Sequence, residues 1–95
     1  MLHIVMTSPF RLDLNALIRL LESGDDVLLL QDGVIAALSG SPALELLLSA
    51  PISLYALKED LDARALFGQI SPRVTPATYS DFVALTVKNP QQMTW

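Results

Sequence analysis

His3 is the only imidazole in the chain, and there is no cysteine anywhere. Any reaction chemistry therefore rests on carboxylates, hydroxyls, that one imidazole and a few cations. The missing thiols remove disulfides, thiolate metal sites, iron–sulfur clusters and every cysteine-nucleophile mechanism. A single histidine also removes multi-histidine metal sites. His3 beside Ser8 and Asp32 is the one hydrolytic triad that can be drawn. No nucleophile-elbow pattern surrounds Ser8, and His3 falls inside an apolar run, so it reads as a strand histidine. Glu59 and Asp60 can form an acid–base pair. Acidic residues that open a helix, however, ordinarily serve its free amides and its dipole. A phosphate loop needs several glycines. Thr7–Phe10 has none, and Gln31-Asp32-Gly33 has one, placed for a turn.

The elements that must position these residues come from a short, apolar chain. Its 95 residues fit one domain spanning positions 1–95. Hydrophobic residues make up 52% and charged ones 17%, against about a quarter charged in ordinary domains. Disorder is excluded, because ample apolar side chain offsets chain entropy. Six basic residues face ten acidic ones, for a net charge of −4. The basic residues are scattered, so no field exists to hold nucleic acid. Tyr55, Tyr79, Phe82 and Trp95 can stack on bases but lack basic neighbours, and Tyr79 and Phe82 read as core. The longest apolar run, Val34–Leu38, is far short of the ~20 residues that span a bilayer. No charged stretch precedes the apolar start, so no secretory signal is expected and the cytoplasm is the default. A chain this small buries only about two-thirds of its unfolded surface. So much apolar side chain points to an obligate subunit whose exposed part is covered by a partner.

Short apolar strands alternate with helices. Leu2–Met6 reads as a first strand, ended by Thr7-Ser8-Pro9. The spacing of Leu14, Leu17, Ile18 and Leu21 predicts a helix from Asp13 to Ser23, stopped by Gly24. Val27–Leu30 is apolar on both faces, as a buried strand requires. Val34–Leu38 reads as helical, Pro42 opens a second helix running to Ser49, and Ile52–Leu57 is a third strand. Lys58-Glu59-Asp60 opens a third helix, with Asp60 and Arg64 paired and Gly68 as its stop. A short strand is expected around Arg73–Thr75, then a helix from Thr78 to Asn89 with Tyr79, Phe82 and Val83 on one side. Right-handed crossovers then give a small flavodoxin-like three-layer α/β sandwich, with four or five mostly parallel strands and helices on both faces. The tail Gln91–Trp95 reads as too short for an element. Its Trp95 is expected to dock on a surface, with Met93 beside it as a second adaptable apolar group, and both are candidate partner contacts.

Several blocks then become recognisable together. Leu28–Val34 reads LLLQDGV, Tyr55–Leu66 YALKEDLDARAL, Gly68–Ser71 GQIS, Asp81–Val87 DFVALTV and Gln92–Trp95 QMTW. With the opening Met1-Leu2-His3 and with Ser8-Pro9, they resemble the DsrH/TusB branch of the DsrE/DsrF/DsrH superfamily. The resemblance runs from end to end, and it departs at Ala65, where glycine is expected, and in the loosely matching Ser39–Ser49. It implies a subunit of a sulfur-relay heterohexamer, a pair of heterotrimers with TusC-like and TusD-like partners. In that family the complex takes persulfide sulfur from TusA and passes it through TusE toward 2-thiouridine at the tRNA wobble position. The persulfide cysteine belongs to the TusD-like partner, and this cysteine-free chain cannot supply one. The resemblance implies a non-catalytic role with no cofactor or metal. A stand-alone small α/β enzyme or ligand-binding domain using Ser8, Asp32 or Glu59 is the reading from a different class.

Overall fold

Val27, Leu28 and Leu29 are all fully buried, which requires cover on both faces of their strand. In the computed structural model of the chain, which describes residues 1–95, that strand lies at the centre of a five-stranded sheet. The strands are β1 (Leu2–Val5), β2 (Asp26–Leu29), β3 (Ser53–Leu57), β4 (Thr75–Ala77) and β5 (Gln92–Thr94). Their order is β4-β3-β2-β1-β5, and every neighbouring pair is parallel. The helices are α1 (Leu14–Leu20), α2 (Pro42–Leu48), α3 (Lys58–Ala63) and α4 (Tyr79–Lys88), with a 3₁₀ segment at Gln31–Ala37. The expected α/β architecture, with a parallel sheet and helices on both faces, is what forms.

Side chains alternate across the sheet and divide the core in two. Val5, Val27, Leu29, Leu54 and Ala56 point to one face, against Leu17 of α1, Leu44 and Leu47 of α2 and Leu61 of α3. Leu2, Ile4, Leu28, Leu57 and Ala77 point to the other face, where α4 supplies Phe82 and Leu85. The first cluster has 14 buried residues and the second 7, so the face under α4 has the thinner cover. Winding from β1 to β4 moves steadily outward, and α4 then carries the chain back across the sheet to set β5 beside β1.

Local chemistry sets most of the boundaries. Asp13 accepts from the Ala16 amide to start α1. Thr78 and Asp81 form a reciprocal capping box at the start of α4. Gly33 sits so close to β1 that a Cβ there would overlap the Val5 carbonyl, so only glycine lets the 3₁₀ segment cross the strand end.

Four elements differ from expectation. The first helix ends at Leu20 rather than Ser23, because the Asp25 carboxylate accepts from the Glu22 amide at 3.0 Å and pulls the chain out of the helix. The third helix ends at Ala63 instead of continuing to Gly68, and Ala65 takes a left-handed φ of 54°. The fourth strand is Thr75–Ala77, shifted past Pro76. Edge position makes this tolerable, since proline's missing amide is not needed on the solvent side. The tail is not formless: Gln92–Thr94 pairs with Leu2–Ile4 as β5.

Candidate functional site

The carboxyl ends of the strands bring together most of the residues that the sequence marks for chemistry, yet Asp60, Asp32 and Ser8 are already committed to holding the fold. The Asp60 carboxylate accepts from the Gln31 amide at 2.6 Å. Gln31 itself is held at a left-handed φ of 51°, so Asp60 fixes a backbone turn that its residue type resists. Asp32 accepts from Arg64 at 3.1 Å, and Arg64 also lies 3.9 Å from Asp60. The Asp60–Arg64 pairing expected along the third helix is thus present and reaches across to the 3₁₀ segment. Glu59 is half-buried and its Oε2 has no partner. Ser8 Oγ accepts from the Phe10 amide at 3.3 Å in a local turn. No hydrogen bond links Ser8 to His3, Asp32 or Glu59, so nothing here activates a nucleophile.

His3 is occupied elsewhere. Its ring is fully buried, with Nε2 3.1 Å from Asp25 Oδ2 and Nδ1 accepting from the Trp95 indole N–H at 3.2 Å. Asp25 also receives the Met1 ammonium at 3.1 Å. Burial alone would raise the Asp25 carboxyl. The Glu22 amide, the Met1 ammonium and His3 outweigh it and hold the group below the usual carboxylate range. With both nitrogens engaged, His3 has no lone pair or proton to offer a substrate.

The two largest of four open hollows lie elsewhere on the surface. One, about 370 Å³, lies beside α4 at the strand ends and is lined by Ile4, Met6, Leu30, Leu57, Tyr79 and Phe82, with Gln31, Asp60 and Thr94 at its polar edge. The other, about 470 Å³, runs between Pro9, Phe10 and Leu14 on one side and Leu38–Ala43 with Leu46 on the other. Both are predominantly apolar, and neither holds a nucleophile beside a base. Around them stand exposed apolar side chains. Phe10 is 89% exposed, and Tyr79, Val83 and Val87 form an uncovered ridge at four-residue spacing on the outside of α4. The surface is better furnished for contact than for catalysis.

The family described as DsrH like protein matches residues 7–92. The chain belongs to the DsrH-like family. Among curated relatives it is similar to Protein TusB of Erwinia tasmaniensis, 70% identical over the whole of both chains. Protein TusB of Serratia proteamaculans is 57% identical, again over the whole of both chains. Its fold is similar to that of the ychN protein from E. coli, with TM-score 0.80, 19% identity and coverage of 99% of this chain and 97% of that one. A Thermotoga maritima protein of known solution structure gives TM-score 0.69 at 25% identity, covering 96% of this chain and 97% of its own.

In this DsrH-like chain the two tail residues have different settings. The Trp95 indole packs against the larger core cluster of its own chain and donates to His3, while Met93 on the edge strand β5 is exposed. Sequence reasoning missed Asp25, the hub of the buried polar network, and the outward ridge of α4. Their signals were an acidic pair placed just before the apolar run Val27–Leu30, and a helix with apolar residues on every side.

Proposed function

We propose that this chain is a non-catalytic subunit of a TusBCD-like sulfur-transfer complex that supports 2-thiouridine formation at the tRNA wobble position. In this reading it assembles in the cytoplasm with TusC-like and TusD-like subunits as a heterohexamer, a dimer of heterotrimers, and meets TusA and TusE only indirectly. No helix is long and apolar enough to cross a membrane. The observation that carries the reading is the uncovered apolar ridge Tyr79, Val83 and Val87 in a member of this family. A helix apolar on all sides is one expected to be buried, and a partner subunit supplies the missing cover. Met93 and Trp95 are the further contact proposed at the sheet edge. A chain without cysteine cannot carry the persulfide, so that thiol sits on a partner.

Co-expression of the tagged chain with its TusC-like and TusD-like subunits is the direct test. The expected result is a stoichiometric three-component complex whose mass corresponds to two copies of each. After loading with a sulfur donor, intact-mass analysis should find the added sulfur on a partner and none on this subunit. Elution of the chain alone, or a sulfur adduct on it, would overturn the proposal.

A further inference from the structure

An indole nitrogen can only donate, so Trp95 Nε1–H donates to His3 Nδ1 at 3.2 Å and that nitrogen carries a lone pair. The proton of the neutral ring is then on Nε2, which donates to Asp25 Oδ2 at 3.1 Å. Only one tautomer satisfies both partners. A second proton has only Nδ1 to go to, where it would point straight at the indole N–H. Donor would face donor between a fully buried ring and a half-buried indole, and the indole is the group with a way out to solvent. No cation–π attraction replaces the lost bond, because the indole presents its N–H edge and the ring centroids are 6.3 Å apart.

The surrounding charges direct which contact breaks. From the chain's start, the Met1 ammonium pairs with Asp25 Oδ1 at 3.1 Å. From the turn after α1 come Asp25 and Glu22, which line the same cleft with His3. The other neighbours are uncharged: Leu20 of α1, Gln91, Met93 of β5, and Val27 in register with His3 on β2. Asp25 stays ionised below the usual carboxylate range, so it goes on accepting from a doubly protonated ring. The Trp95 indole has no acceptor to offer.

We propose that His3 and Trp95 form a proton-sensitive latch, in which protonation of His3 at Nδ1 expels the indole and loosens β5 from β1. The coupling to the strand is direct. The Trp95 amide donates to Ile4 O at 2.8 Å and its carbonyl accepts from the Met6 amide at 3.0 Å, so the residue that loses its indole contact also closes the β1–β5 ladder. β5 has few other ties, since all three of its residues are exposed. Release opens the edge of β1 at Ile4–Met6.

Trp95 is the only tryptophan, so emission excited beyond the absorption of Tyr55 and Tyr79 reports this residue alone. The full chain is titrated from about pH 8 to about pH 5. The expected result is a sigmoidal red shift with a several-fold rise in acrylamide quenching, while the far-ultraviolet circular dichroism holds. Amide exchange at Trp95 and Met6, followed by NMR, should accelerate over the same interval. His3→Gln, which has no imidazole to protonate, should give a flat response. Nitrogen chemical shifts of the wild-type ring at the alkaline end should place its proton on Nε2, a measurement that needs no variant to fold. Fluorescence and quenching that stay constant across the titration would overturn the latch. So would a transition retained in His3→Gln, or a ring proton found on Nδ1.

Discussion

Asn89 donates its side-chain amide to the buried Asp26 carboxylate at 2.9 Å, joining the end of α4 to the start of β2 across 63 positions of sequence. The same amide group donates to Leu85 O at 3.0 Å, and Lys88 adds an ion pair to Asp26 at 3.0 Å. This tie sets the rotation of α4. With Asn89 held inward, Phe82 and Leu85 share its side of the helix, and Tyr79, Val83 and Val87 are turned to solvent.

Asn89→Ala should therefore destabilise the chain by about 1–3 kcal/mol, since it strips a donor from a carboxylate that is 1% exposed and already has one unpartnered oxygen. Urea unfolding checks this. A loss no larger than that of an ordinary surface substitution would mean that Lys88 alone holds α4 in place.

Ala65 predicts the opposite sign. It is exposed and left-handed at φ 54°, a conformation that costs a side chain about 1–2 kcal/mol. Ala65→Gly removes that strain, offset in part by the greater freedom of glycine in the unfolded chain. A net gain of roughly 0.5–1 kcal/mol in urea unfolding is expected. The site lies at the one position where the family resemblance led to an expectation of glycine, and the backbone supplies the physical reason.

That case shows what was legible in the sequence and what was not. The parallel sheet could be read because Val27–Leu29 has no polar side to turn outward, and α1 because its apolar residues keep helical spacing. What depended on distant partners could not be read. Gln92–Thr94 has no strand pattern and is a strand only because β1 offers it a ladder. The end of α1 answers to Asp25, whose own position answers to Met1 and His3. Reading Tyr79 as core beside Phe82 failed for the same reason, since Tyr79 is 56% exposed. Phe82 faces the core, but the helix is rotated by Asn89, and nothing near Tyr79 records that. For the candidate chemistry, the residue types were visible while their engagement was not. Asp60, Asp32 and His3 look available until Gln31, Arg64 and Trp95 take up their acceptors.

Gly33 tests the close crossing of β1 by the 3₁₀ segment. A methyl group there overlaps backbone, which cannot move aside as a side chain does. Gly33→Ala should cost on the order of 3 kcal/mol, with thermal unfolding as the measurement. A variant of wild-type stability would show that the segment can lift away from Val5 freely.

Asp25 governs the acid limb of stability. Its folded pKa is depressed, so in acid the unfolded chain takes up the proton first. The stabilisation is present above the ordinary carboxylate value, near pH 4, and is lost as pH falls through the lower folded value. Asp25→Asn should start less stable at neutral pH and lose less on acidification toward about pH 3. Parallel slopes for the two proteins in that range would place the acid sensitivity in other carboxylates.

The ridge on α4 allows stability and assembly to be separated. Val87 is 78% exposed, so a charged residue there meets only water in the isolated chain. Lysine is also a better helix former than valine, and near the end of α4 it complements the dipole, so Val87→Lys should hold or raise stability by a few tenths of a kcal/mol. Val83→Lys, one turn earlier, should likewise fold. In the proposed complex both positions are covered, and a lysine there must be stripped of water without an acid to meet it. Affinity for the TusC-like and TusD-like subunits should then fall at least tenfold, or about 1.4 kcal/mol, while circular dichroism and unfolding midpoint hold. Calorimetry or surface binding with the co-purified partners would measure it. Unchanged affinity in both variants would remove α4 from the interface and leave Phe10 and Met93 as the apolar contacts to examine.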